Sequence, residues 1–151
     1  NKIGEEAQSL KDKLAKLIEE DARAFSLLMN ALRLPSTNDK EKLIKKNELY
    51  RTTKYAIEVP LETAHKCLSV LKLSENIINK CNINSISDVG VGAEVALAGL
   101  RGAVFNVMIN LKTIDDKSYV SKVNKNIDNL IESGESCRDR VFNLVISKLN
   151  A

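Results

Sequence analysis

The sequence predicts an all-α protein, an up-and-down bundle of about five long helices. Three observations carry that expectation. Apolar residues recur at alternating spacings of three and four, glycine and proline are sparse with Pro35 and Pro60 where helices should break, and no run reads convincingly as a strand. With 151 residues and 44% apolar content, the chain has the size and core material of one domain over residues 1–151.

The first helix carries its apolar seats at Ile3, Ala7, Leu10, Leu14, Leu17, Ala24, Leu28 and Ala31. It should end near Leu34, because Pro35 breaks it and the following Ser, Thr, Asn and Asp offer the next cap. A second, highly charged helix runs from about Asp39 to Ile57 and stops or kinks at the Val59-Pro60 step. Pro60 then suits the first turn of a third helix with Leu61, Ala64, Leu68, Leu71 and Ile78 at helical spacing. The polar stretch Asn82-Ile83-Asn84-Ser85 closes it.

A fourth helix begins near Ser85 or Ser87, where Ser85-Ile86-Ser87-Asp88 has the form of a capping box. Gly90, Gly92, Ala93, Ala96, Ala98, Gly99, Gly102 and Ala103 strip this helix of bulk. Each glycine costs about 1 kcal/mol of helix propensity relative to alanine, so another backbone or a ligand should come close. It is therefore the expected central helix. The last helix, about Asp116 to Asn150, repeats Val120, Val123, Ile127, Leu130, Gly134, Cys137, Val141 and Leu144 and is expected to pack lengthwise along the first. Narrow apolar seams of this kind are self-complementary about a two-fold axis, which predicts a homodimer.

Composition narrows the function. A net charge of +3 spread along the chain, with 4% aromatic residues and no Trp, gives no nucleic-acid signal. Cys67, Cys81 and Cys137 are widely spaced and His65 is the only histidine, so a reduced, cytoplasmic protein without a metal site is expected. Val89–Leu100, the longest stretch of low charge, is interrupted by Glu94 and lacks the continuous apolar length of a membrane span, and the N-terminus does not read as a signal peptide. No glycine-rich phosphate loop follows a strand.

The sharpest irregularity is Asp21, a carboxylate in an apolar seat between Leu17 and Ala24. It is either desolvated or faces a cavity; burial raises a carboxyl pKa toward the range useful for acid-base work. Capping a neighbouring helix or pairing with a buried Lys or Arg is the structural alternative. Asp88 and Asn106 lie five helical turns apart on the fourth helix, with Asn110 one turn beyond. Their amides and carboxylate suit the donors and acceptors of a heterocycle, or else Asp88 complements the helix dipole and the Asn pair satisfies an adjacent backbone. The basic run Lys40, Lys42, Lys45, Lys46, Arg51 and Lys54 is either a solvated face or an attraction for an anionic tail. His65 has no triad partner placed by sequence and reads as structural or surface.

These residues fall into a recognisable order. Asp21-Ala22-Arg23-Ala24-Phe25 resembles a D-x-x-A-F element, Arg33-Leu34-Pro35 the L-P after it, and Val59-Pro60-Leu61 a V-P-L step. Ser87-Asp88 resembles an S-D pair and Asn106-Val107-Met108-Ile109-Asn110-Leu111 an N-V-x-I-N-L signature. Together they resemble the formiminotetrahydrofolate cyclodeaminase and methenyltetrahydrofolate cyclohydrolase family over nearly the whole chain. The resemblance implies a dimerising helical bundle that acts on a folate without metal or nucleotide, with Asp21 as the catalytic acid-base group and Asp88, Asn106 and Asn110 as substrate-binding residues. It implies cyclodeamination, in which formiminotetrahydrofolate closes to methenyltetrahydrofolate and ammonia. The alternatives are methenyltetrahydrofolate cyclohydrolase, in which water opens the methenyl bridge, and a non-catalytic helical oligomerisation module.

There are departures from the pattern. The family's P-x-P-G-G-G-S segment and a further Ala-rich helix have no counterpart before Asn1, Cys81 stands where Gly is preferred, and Lys45 stands where Arg is common. The turn after the third helix is expected to place its positive-φ residue elsewhere, at Asn82. Arg101 lies outside the signature.

Overall fold

The computed structural model describes residues 2–151. It contains four long helices rather than five: α1 (Lys2–Leu32), α2 (Asp39–Ile77), α3 (Ile86–Leu111) and α4 (Lys117–Leu149), with a 3₁₀ turn at Ile83–Ser85 before α3 and no strand among the described residues. The expected second and third helices are one, because α2 runs unbroken through Pro60. A proline inside a helix lacks the N–H that would bond the carbonyl four residues back, here Ala56. That carbonyl accepts instead from Asn110 Nδ2 of α3 at 3.0 Å. Tertiary structure thus supplies the donor that sequence-local reasoning finds absent, and the chain continues as helix.

The helix ends follow the caps. Asn38 accepts from the Glu41 backbone N–H at 2.9 Å, and the Glu41 carboxylate accepts from both the backbone and the hydroxyl of Thr37. These Thr37 bonds hold the Glu41 carboxyl below its ordinary value. Asp116 caps α4 by accepting from Tyr119 N–H. At α3 the expected capping box does not form: Ser85 makes no side-chain cap bond, and the preceding Asn82 accepts from Asn84 N–H instead. Asn82 has φ −62°, and no described residue has positive φ, so this turn is built without the left-handed residue expected of it.

Helix α2, not α3, is the hub. It packs against α1, α3 and α4, while α4 lies on α3 and α2 rather than lengthwise along α1. The main core gathers Ile57 and Leu71 of α2, Leu100, Val104 and Val107 of α3, and Val141 of α4, all almost completely buried. On α1, Leu10, Leu17, Ala24 and Ala31 are buried, one seat every second turn, so this helix seals only a narrow seam. Glu75 of α2 and Arg140 of α4 form an ion pair, and the guanidinium holds the Glu75 carboxyl below its ordinary value.

Gly134 sets α4 tightly against α2 and α3. A Cβ there would meet Leu100 Cδ1 at 2.9 Å, with Leu97 Cδ1 at 3.4 Å and Leu71 Cδ1 at 3.6 Å. Gly134→Val should therefore lower stability by about 1–3 kcal/mol through overpacking, despite removing a helical glycine. A urea titration followed by circular dichroism checks this; an unchanged midpoint would show that the three leucines repack freely.

Candidate active site

Three helices converge on the first carboxylate that the sequence marks. Leu14, Leu17, Ile18 and Asp21 of α1, Pro60 and Thr63 of α2, and Gly99, Gly102, Ala103 and Asn106 of α3 line a cleft of about 290 Å³. The structure brings Asp21 and Asn106 together across it. Thr63 and Pro60 complete the α2 wall, and sequence reasoning assigned neither to the site. The V-P-L step was the available signal, because a proline within the helix leaves a stretch where the backbone needs outside partners.

Of the two placements open to Asp21, cavity-facing is the one observed. Its side chain is exposed at the cleft. Asp21 makes no ion pair or hydrogen bond with another described residue, so neither structural alternative is realised. The α3 wall explains part of the glycine pattern. A Cβ on Gly99 would stand 3.1 Å from Cys67 Sγ, so this glycine permits α2 and α3 to approach, whereas a Cβ on Gly102 would meet nothing within 4 Å. The chain's own packing therefore does not require glycine at Gly102.

The other marked residues part company. Asn110 lies one turn beyond Asn106, half-buried, and donates its amide to Ala56 O at 3.0 Å and to Asn106 O at 3.1 Å. Asp88 is exposed in the first turn of α3, among residues that include Ile3, Gly4 and Val89. It lies about 27 Å along the helix from Asn106. The structure therefore does not bring Asp88 to the Asp21 cleft within one protomer.

The remaining polar groups are engaged elsewhere. His65 is half-buried with Nε2 3.2 Å from Asn126 Nδ2. Cys137 Sγ donates to Glu75, and burial followed by that carboxylate pushes its thiol up to about 11, which keeps it protonated near neutral pH and unsuited to nucleophilic work. Burial also raises the Cys67 thiol. Among the described residues no group of three or more His, Cys, Asp or Glu side chains is placed to hold a metal ion. The stretch Ile83–Leu111 is long and apolar enough to cross a membrane by length and composition, in contrast to the sequence expectation. Its buried face, including Leu97, Leu100, Val104 and Val107, belongs to the core of the bundle.

A family model described as formiminotransferase-cyclodeaminase matches residues 1–129. The chain belongs to that family. Within the formiminotransferase-cyclodeaminase family it is 34% identical over 97% of its length to methenyltetrahydrofolate cyclohydrolase of Methylorubrum extorquens, spanning 70% of that relative. It is 32% identical over 82% of its length to formimidoyltransferase-cyclodeaminase of Gallus gallus, of which it spans only 23%. Its fold matches the crystal structure of formiminotetrahydrofolate cyclodeaminase from Thermotoga maritima with a TM-score of 0.83 at 24% identity, covering 95% of this chain and 67% of the other.

Because Asn110 replaces the donor that Pro60 lacks, the two positions should be energetically coupled. Asn110→Ala leaves the Ala56 carbonyl orphaned and should cost about 1–3 kcal/mol of stability. Adding Pro60→Ala restores a backbone N–H, so the double variant should recover about 1 kcal/mol relative to the sum of the single effects. Denaturant unfolding of the four proteins measures the cycle; strict additivity would disconnect the two residues.

Proposed function

We propose that this chain acts on the one-carbon bridge of a tetrahydrofolate, with Asp21 as the proton-transferring group and Asn106 on the opposite wall of the cleft as a substrate-binding residue. The observation that carries the reading is the convergence of the D-x-x-A-F carboxylate and the N-V-x-I-N-L amide, 85 positions apart in sequence, on one cleft. Family membership supplies the substrate class.

In cyclodeamination the arylamine nitrogen attacks the carbon of the formimino group in its protonated, amidinium form, forming a carbon–nitrogen bond and a tetrahedral centre. Asp21 takes the proton released by the attacking nitrogen and returns it to the departing one, so that ammonia leaves and the methenyl bridge remains. In cyclohydrolysis water adds to the methenyl carbon, Asp21 accepts its proton, and a ring carbon–nitrogen bond breaks with that nitrogen reprotonated. Formyltetrahydrofolate results. Both reactions need one carboxylate that alternates between base and acid, and holding the two folate nitrogens together supplies proximity. Neither route calls for a metal or nucleotide. Cyclohydrolysis gains weight from the 34% identity to the Methylorubrum extorquens enzyme across almost the whole chain.

A second copy of the chain supplies the cover that the protomer lacks. Val91, Val95, Phe105 and Ile109 are exposed on α3 with Ala98 and Gly102 between them, a stripe spaced by fours and threes, with Val95 66% and Phe105 68% exposed. Ile18, Phe25 and Leu32 repeat at intervals of seven along α1 and are also exposed. So much apolar surface bordering the Asp21 cleft favours a two-fold homodimer in which a neighbouring α3 helps desolvate Asp21.

Asp21→Asn should lower turnover at least about a hundredfold while leaving the helical content unchanged. Following methenyltetrahydrofolate by absorbance tests this: formation from formiminotetrahydrofolate identifies the cyclodeaminase, consumption without it the cyclohydrolase. Near-normal rates in the variant would remove Asp21 from the mechanism. Val95→Glu, outside the cleft, should shift the chain to monomer in light scattering; an unchanged mass would place the interface elsewhere.

A further inference from the structure

Beyond the Asp21 cleft lies a second hollow. The same three helices line this space of about 690 Å³ further along, now between Leu28 and Leu32 of α1, Leu49 and Thr53 of α2, Asn110 of α3 and Thr113 just after it. The register is consistent on every wall. Asp21 to Leu28, and Pro60 back to Thr53, are each about 10 Å of helix rise, and Asn106 to Asn110 is about 6 Å. The cleft and the hollow follow one another along the same three helices, with the Asn110 bonds to Ala56 and Asn106 between them.

The chemistry changes along it. Leu28, Leu32, Leu49 and Ile114 give the hollow an apolar wall, and Tyr50 stands among them. Three ammonium groups line it as well: Lys42, Lys45 and Lys46. Lys42 is paired with Asp39 at 3.2 Å and Lys45 donates to Leu34 O at 2.9 Å, whereas Lys46 makes no hydrogen bond or ion pair among the described residues. Two carboxylates, Asp115 and Asp116, lie on the α3–α4 joint. Asp116 is engaged as the α4 cap and by Tyr50 Oη at 3.2 Å, and those bonds hold its carboxyl below its ordinary value. Lys54 sits over the rings of Tyr50 and Tyr119, 5.1 and 4.3 Å from their centroids, which ties the joint to α2 and fixes that end of the hollow.

We propose that this hollow binds the aryl-amide tail of the substrate, its ring against Leu28, Leu49 and Tyr50 and its terminal carboxylate on Lys46. The inference rests on the folate reading of the Asp21 cleft and extends it, since a pterin-end reaction at Asp21 leaves an aromatic ring and an anion to be placed further along the helices. An apolar wall followed by an unpaired ammonium suits that order of groups. The basic run of α2 then divides by function, with Lys46 directed to ligand and Lys42 and Lys45 committed to the fold.

The test uses the full chain and two probes. p-Aminobenzoylglutamate, which lacks the pterin, should shift the backbone amide signals of Leu49, Tyr50 and Thr113 in heteronuclear NMR, and Lys46→Glu should abolish those shifts. This readout does not depend on turnover, so it stands or falls separately from the enzymatic reading. In the kinetic arm Lys46→Glu should raise KM for the glutamate-bearing methenyl substrate about tenfold, with less than a twofold rise for the pteroate counterpart that ends at the aryl carboxylate. Lys46→Ala should act in the same direction. Shifts confined to the Asp21 cleft, the absence of any shift, or equal KM changes for both substrates would overturn the proposal.

Discussion

One hydrogen bond governs the geometry of the molecule, that from Asn110 to the carbonyl of Ala56. Pro60 removes the donor that this carbonyl would ordinarily find within α2, and a buried carbonyl without a partner costs enough to end or distort a helix. Because α3 supplies the replacement, α2 persists for 39 residues and can act as the spine against which the other three helices pack. The same amide also reaches Asn106 O, so the bond that repairs α2 lies beside the cleft. Stability and site geometry are coupled through a single side chain.

That coupling clarifies how the proposed folate-acting cleft is assembled from helices alone. No loop supplies a lining residue to the Asp21 cleft; α1, α2 and α3 each contribute from within a regular turn. Side chains on packed helices are held more firmly than on loops, which suits chemistry that depends on keeping two nitrogens in register. The small residues of α3 serve two ends. Gly99 allows close contact with Cys67, while Gly102 leaves open space on the side where substrate or a second copy would lie.

The exposed apolar stripes on α1 and α3 show where this protomer's packing stops. Its core is complete on the α2–α4 side, with Val104, Val107 and Val141 almost wholly excluded from water. The opposite side carries Ile18, Phe25, Phe105 and Ile109 in the open, adjoining the only member of the apolar α1 series that is acidic. Apolar surface of that extent and periodicity favours burial against a partner helix, and covering it would change the dielectric around Asp21.

Periodicity in the sequence determined the helical class, the limits of α1 and α4, and the anomaly at Asp21, because a 3.6-residue repeat and a carboxylate that violates it are local properties. The order of the D-x-x-A-F, V-P-L and N-V-x-I-N-L elements was equally legible, and with it the family. Tertiary structure decided the rest. Only a partner from α3 could show that Pro60 lies inside a helix, only packing could make α2 rather than α3 the hub, and only the bundle could separate Asn106, which lines the cleft, from Asp88, which lies far along the same helix face. The exposure of Asp21 was not legible either, since burial depends on what covers a residue in space, and no other part of the chain supplies that cover.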